Sequence, residues 1–470
     1  MEVSEKVKSQ YHGNSIHRFL KLYFPELSLT IENDEIYAES MKLKESIIEK
    51  TNIEFVGCIA SSFKVQVNGI QADLKGKRIE VSIYTTETEN EPIKLFNGIV
   101  DSAMQQSNKR IKEITAYDRL YTQGNIDLAA WYNSLTFPIT IKDFRDSLFT
   151  YIGIEQEEIK LPNDNVSIDK KYDPKTLKAR NVIKAICQIN GAFGIINRND
   201  KFEYRILADL SATYAYPSVT LFPSSTLYPA NPNVAESVVK KEIDTESFSF
   251  YKTVNYEEFE VKPVDKLTIR QSEQDAGVSY GNGTNNYIIQ GNMFTLGKSN
   301  SELLTMAQAV YKNVRGIYYY PYKSNNNGLP YIECGLDAVS YQMYNFYPES
   351  ARASSKTTRN FYVFSREMSG IQNLRDSYSA QGEEYQTEFI TDLKTQIDTI
   401  KVDVKQEVEK TLQDYDFSDQ FSDFTYNKDY LDTQFGNIET SQLKIVSVTA
   451  LPATPDANTV YLIQGEVTVS

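Results

Sequence analysis

The 470-residue sequence is poor in the residues on which metal and redox chemistry is built. Its two histidines, His12 and His17, lie near the start, and its three cysteines, Cys58, Cys187 and Cys334, are far apart. There is no HExxH helix and no cysteine pair at zinc spacing, so no metal site and no cofactor are expected. GxSxG, P-loop and Rossmann fingerprints are missing too, and no catalytic residue stands out. The cysteines sit in apolar contexts (FVGCIA, IKAICQI, YIECGL), which predicts buried reduced thiols and folding in a reducing cytoplasm. No apolar run approaches the length of a membrane span, and no signal-peptide core precedes a cleavage site, so neither membrane embedding nor Sec export is expected. Positive charge is in deficit: 49 Lys and Arg face 63 Asp and Glu, a net charge of −14. A nucleic-acid clamp needs a basic footprint and is excluded on that ground. An acidic surface still lets DNA slide past without holding it.

One tryptophan stands against 33 Tyr and 23 Phe, a skew toward strand formers that also suit wet interfaces. The length predicts several domains. In residues 1–120, Ser15 reads as the cap of a short helix carrying Ile16, Phe19, Leu20 and Tyr23, stopped by Pro25. From about 29 the period becomes two. Phe63, Val65 and Val67 alternate with polar residues before Asn68–Gly69, and Ile79, Val81 and Ile83 do the same. Leu95 to Val100 and Arg110 to Tyr117 continue the strands, which predicts an antiparallel, barrel-like domain.

Residues 121–208 predict an α+β domain. Helices are expected at 128–135, 142–152 and 174–190, the last ended by Gly191, followed by a hairpin turning at Asn199–Asp200. Residues 209–240, with Pro217, Pro223, Pro229 and Pro232, read as an extended connector. Residues 241–368 return to strands with one helix at 301–314, a second barrel-like domain. A hairpin is expected there over Asn325, Asn326, Asn327 and Gly328, and 366–382 reads as a turn. The fold class is thus α+β, mainly β: two antiparallel barrel-like domains with an interposed α+β domain, then a helix and a short β C-terminal segment.

That helix is 383–413. Ile390, Leu393, Ile397, Ile400 and Val404 recur at three and four, a heptad seam with Lys, Asp and Glu between them. Isoleucine at both core positions favours trimers. Val408 follows four on while Glu407 falls on the seam, so the register slips there. Residues 414–470 read as a C-terminal attachment segment, first alternating acids and aromatics, then offering LKIVSVTALP and TVYLIQGEVTVS as strand candidates. Other candidates have plain readings: Gly281-Asn282-Gly283 is a turn, Glu155, Glu157–Glu158 and Glu257–Glu258 are solvated acids, and Tyr318–Tyr320 suit an interface strand or, alternatively, a sugar groove.

The order of parts resembles the N-terminal structural module of phage baseplate hub and tail-associated proteins of siphophage-type tail tips. The stretches that carry it are FVGCIASSFKVQVNG, DLKGKRIEVSIYT, KEITAYDRLY, ICQINGAFGIINRNDKFEYRIL and REMSGIQNLRDSYSAQGEEY, within about 30–390. The resemblance implies a homotrimeric virion protein at the tail tip, assembled in the host cytoplasm, that closes or continues the tube channel. It implies a distal tail protein or tail-tube ring, tail fibre or receptor-binding proteins and a tape measure protein as partners, with phage DNA passing unbound. The family's lytic domain has no counterpart by Ser470. Two other functions compete: an adhesin for host cell-wall carbohydrate and a cell-wall hydrolase without a recognisable lytic domain.

Overall fold

Alternation of apolar and polar residues becomes strand wherever a neighbouring strand covers the apolar row. The computed structural model describes residues 3–13, 16–49, 53, 55–107, 110–208, 244–248, 251–344, 356–384, 444–448 and 459–463. After helix α1 (Glu5–Tyr11) come β1 (Arg18–Phe24), β2 (Leu29–Ile31), β3 (Lys42–Ser46), β4 (Ser62–Asn68), β5 (Arg78–Thr85), β6 (Ile93–Gln105) and β7 (Ile111–Tyr117). Ile79, Val81 and Ile83 of β5 are buried as their alternation requires, and Gly69 takes the positive φ of 77° that the turn after Asn68 needs. The short helix expected after Ser15 is a strand instead. Leu20, Leu22 and Phe24 face the core, and β1 pairs antiparallel with β5 along its length. The local pattern fitted either period, and the neighbouring strand decided between them.

The middle part holds α2 (Arg119–Gln123), α3 (Ala129–Ser134), β8 (Ile139–Thr140), α4 (Ile141–Ile152), β9 (Ser167–Ile168), α5 (Ala179–Gln188) and the hairpin β10 (Phe193–Ile196) and β11 (Phe202–Arg205). Val182, Ile183, Ile186 and Cys187 form the buried face of α5. Phe149 of α4 meets Phe202 of the hairpin with ring centroids 4.6 Å apart. Asp200 turns the hairpin at φ 65°.

Beyond it come β12 (Asp244–Phe248), β13 (Thr253–Tyr256), β14 (Lys266–Arg270), β15 (Val278–Gly281), β16 (Asn286–Gln290) and α6 (Asn300–Val314). A capping box starts α6: the Ser299 hydroxyl accepts from the Glu302 N–H, and the Glu302 carboxylate accepts from the Ser299 N–H. Then follow β17 (Tyr322–Asn327), β18 (Asp337–Tyr344), β19 (Lys356–Tyr362), β20 (Ser365–Ser369) and β21 (Arg375–Ala380). The asparagine run expected as a hairpin turn lies in β17, whose buried Asn326 donates to the Ser324 hydroxyl at 3.0 Å. The stretch 366–382, expected as a turn, is mostly the β20–β21 hairpin.

The expectation of two barrel-like domains is corrected. Eleven strands form one open sheet in the order β13-β17-β21-β20-β3-β4-β7-β6-β5-β1-β2, drawing on both β-rich regions. The free edge of β3 pairs antiparallel with β20, placing Leu43 opposite Met368. Backbone groups along that edge of β3 are thereby satisfied by a hairpin more than 300 residues away in the chain. Among the described residues the end strands β13 and β2 pair only inward. Smaller sheets, β12-β18-β19 and β15-β14-β16, complete this part.

Contacts divide the chain into Met1–Thr395 and Gln396–Ser470. In the second unit the described residues are two parallel strands, β22 (Lys444–Val448) and β23 (Thr459–Ile463), at the strand candidates read from the sequence. The connector at 209–240, the heptad residues Ile390, Leu393, Ile397, Ile400, Val404 and Val408, and the stretch 414–440 lie outside the described residues.

Candidate functional site: a buried ionic junction

Strand alternation sends Arg366 and Met368 of β20 to one face, and Asp376, Tyr378 and Ala380 of β21 to the same side. Arg366 and Asp376 are therefore buried among apolar neighbours, 2% and 1% exposed. They survive there because they satisfy each other. Arg366 Nε lies 2.9 Å from Asp376 Oδ1 and Nη2 lies 2.6 Å from Oδ2. The Tyr378 hydroxyl donates to Asp376 at 2.8 Å. Arg366 also donates to the Leu329 carbonyl at 2.7 Å and to that of Ile332.

Two further arginines reach the same loop, residues 329–336, from the β10–β11 hairpin. Arg198 donates to the Pro330 and Ile332 carbonyls at 2.7 and 2.8 Å. Arg205 holds Glu333 at 2.8 Å and donates to the Cys334 carbonyl. Glu45 of β3 stands 3.5 Å from Arg366 and 3.8 Å from Arg198. Strand β3, the hairpin, the loop and β20–β21 thus meet at one charge network.

The electrostatics follow from that mutual satisfaction. Burial would lower the Arg366 guanidinium, but Asp376 against it raises it above its ordinary value and keeps it charged. Burial would likewise push Glu333 up, yet Arg198 and Arg205 hold its carboxyl well below the usual range. Asp337 is different. Burial pushes it up to about 6, although the Glu333 N–H donates to it at 2.6 Å. The arginines are committed to internal partners, so the arrangement is a clamp that fixes distant segments together.

Sequence reasoning did not single out Arg198, Arg205, Arg366, Glu45, Glu333 or Asp376. One signal was available: Arg366 and Asp376 occupy the apolar register of their strands. The acids that were singled out are distributed. Glu155 pairs with Lys201 at 2.6 Å and Glu157 accepts from Asn197 at 2.9 Å. Within the aromatic run, Tyr319 is buried with its hydroxyl on the Gln381 carbonyl at 2.6 Å. The Arg359 guanidinium lies 4.4 Å from the ring of half-buried Tyr320 and 4.8 Å from that of Tyr256. The three cysteines are free and buried. His12 lies 3.2 Å from Glu246. Among the described residues no group of His, Cys, Asp or Glu is arranged to hold a metal, and no helix is long and apolar enough to cross a membrane.

No protein-family model and no curated protein matches the sequence. Its structural neighbours are phage tail proteins. The tail protein from Neisseria meningitidis is 12% identical, with 78% of this chain and 98% of that one covered at a TM-score of 0.42. The 43 kDa tail protein of prophage MuSo2 from Shewanella oneidensis is 8% identical, with 77% and 98% covered at 0.45. Prophage tail protein gp18 from Listeria monocytogenes is 12% identical, with 77% and 95% covered at 0.42.

Proposed function

We propose that this chain is a structural part of a phage tail: a trimeric hub at the tail tip that closes or continues the tube channel. In this reading it carries host-binding parts during genome delivery. It would meet a distal tail protein or tube ring on one side and fibre or receptor-binding proteins on the other, with the tape measure protein and passing DNA along the axis. The seam Ile390, Leu393, Ile397, Ile400, Val404 and Val408 would be its threefold contact.

The observation that carries this reading is the junction. The stretches behind the family resemblance supply β4, β5, β7, α5, the β10–β11 hairpin and β20–β21. Of these, β4, β5, β7, β20 and β21 lie in one sheet, and the separate β10–β11 hairpin reaches the buried ionic clamp that joins the sheet's two halves. A buried clamp that ties distant segments of the chain together suits a load-bearing role.

The test is solution mass of the full chain by light scattering, with immunogold labelling of the particle. Three chain masses, falling on Ile397→Asp with Ile400→Asp, and label at the tail end are expected, because each aspartate would put a charge in a dry seam. A monomer, or label confined to the capsid, would overturn the reading.

A further inference from the structure

On the outer face of the sheet, where β1, β5 and β6 lie side by side near the edge strand β2, there is a groove of about 330 Å³. Its floor is set by strand register. Lys21 of β1 is opposite Ser82 of β5, and Ser82 is opposite Lys94 of β6. The next row runs Tyr23, Glu80, Asn97. A register shift beside Ser82 skips Leu95 and brings Lys94 into the first row. Neighbouring strands are about 4.8 Å apart, so two lysines flanking one serine can converge on a single bound group.

The charge of this groove is opposite to that of the chain. Neither Lys21 nor Lys94 has a carboxylate partner among the described residues, and Lys94 donates only to the Asn199 amide oxygen at 2.9 Å. Glu80, the acid in the lining, is turned to Arg78 at 3.5 Å. Arg198 closes one end. It is 5% exposed and donates to the Lys94, Pro330 and Ile332 carbonyls, so it lends the groove its charge. Beside these cations the Tyr23 ring is 37% exposed. An aromatic face next to hydroxyl, amide and ammonium donors is the chemistry of a pyranose bearing an anionic group, and the volume suits one or two sugar rings.

We propose that this groove binds an acidic sugar, a hexose carrying a phosphate or a carboxylate. Lys21 and Lys94 receive the anion over Ser82, and Tyr23 stacks on the ring. The site stands apart from the tail reading. A monomer that binds the sugar keeps the groove and loses the hub, while a trimer that binds none does the reverse.

Calorimetric titration of the full chain with glucose 6-phosphate, glucuronate, glucose and inorganic phosphate tests it. At least one acidic sugar should bind about tenfold more tightly than both glucose and inorganic phosphate. The double variant Lys21→Gln, Lys94→Gln should lose about tenfold of that affinity with its melting temperature nearly unchanged, since Lys94 is exposed and Lys21 only partly buried. Tyr23→Ala should weaken the acidic sugar but not phosphate. The two acidic sugars tell phosphate from carboxylate as the preferred anion. No heat from either at about 10 mM, phosphate binding as tightly as the sugar phosphate, or binding untouched by the double lysine change would each overturn the site.

Discussion

Arg145 and Arg366 are both buried, and each grips an aspartate through Nε and Nη2. Arg145 holds Asp164 at 2.9 and 3.0 Å and also reaches Gln156 and the Ile159 carbonyl, so every one of these partners lies within 20 residues. Arg366 holds Asp376 in the same way but adds the loop at 329–332 and Glu45, 321 residues away. The chemistry is the same and its reach is not. The first pair fixes a local loop after α4. The second fixes the seam between the two β-rich regions. A buried ion pair adds little net stability over an apolar substitute, but breaking one strands a charge. The comparison is therefore best broken one partner at a time.

Asp376→Ala should have the largest effect, a loss of about 3–5 kcal/mol in urea unfolding, because it leaves Arg366 buried and uncompensated. Hydrogen exchange should accelerate on both sides of the seam, in 42–46 and 365–380. Replacing the pair together, Arg366→Met with Asp376→Leu, should cost less than the single change. Asp164→Ala should cost about 3 kcal/mol, with faster exchange confined to roughly 139–168. If that change also loosens 42–46, the two pairs belong to one cooperative unit and the contrast fails.

A third handle is the carboxyl of Asp118, which sits where β7 hands over to α2 and accepts the N–H groups of Ser61 and Leu120. Burial pushes it up to about 7 against those two bonds. Its unfolded value is near 4. The folded chain then keeps a proton that the unfolded chain has released, so stability from this group falls as pH rises from about 4 to 7. Asp337 at the junction, up to about 6, acts in the same direction. Asp118→Asn should flatten part of the slope of urea midpoint against pH over that window. An unchanged slope would assign it to Asp337 and other groups. The smallest effect is expected at Ser299→Ala, about 1 kcal/mol, from losing the capping box of α6.

The local elements that were legible carried their own reasons. The alternation in β4, β5 and β7, the helices at α4, α5 and α6, and the turns at Gly69 and Asp200 depend on residues close in sequence. The misread stretches depended on distant ones. Arg18–Phe24 became a strand because β5 lay beside it. Asn325–Asn327 stayed extended because β13 and β21 pair on either side of β17. The 366–382 stretch became a hairpin because β3 offered an open edge. The junction arginines were hidden for the same reason: a charge in an apolar register is legible, but its partner is not.

By itself, then, the sequence determined the mainly β character, the buried cysteines, the helix faces and the acidic balance of the whole, since these rest on periodicity and composition. Only the tertiary structure decided that the two β-rich regions share one open sheet and that three arginines meet a single loop. It alone set Lys21 and Lys94 either side of Ser82 in an acidic protein. Strand order and register are choices among distant partners, made by which backbone edges and buried charges can be satisfied together, and nothing local encodes them.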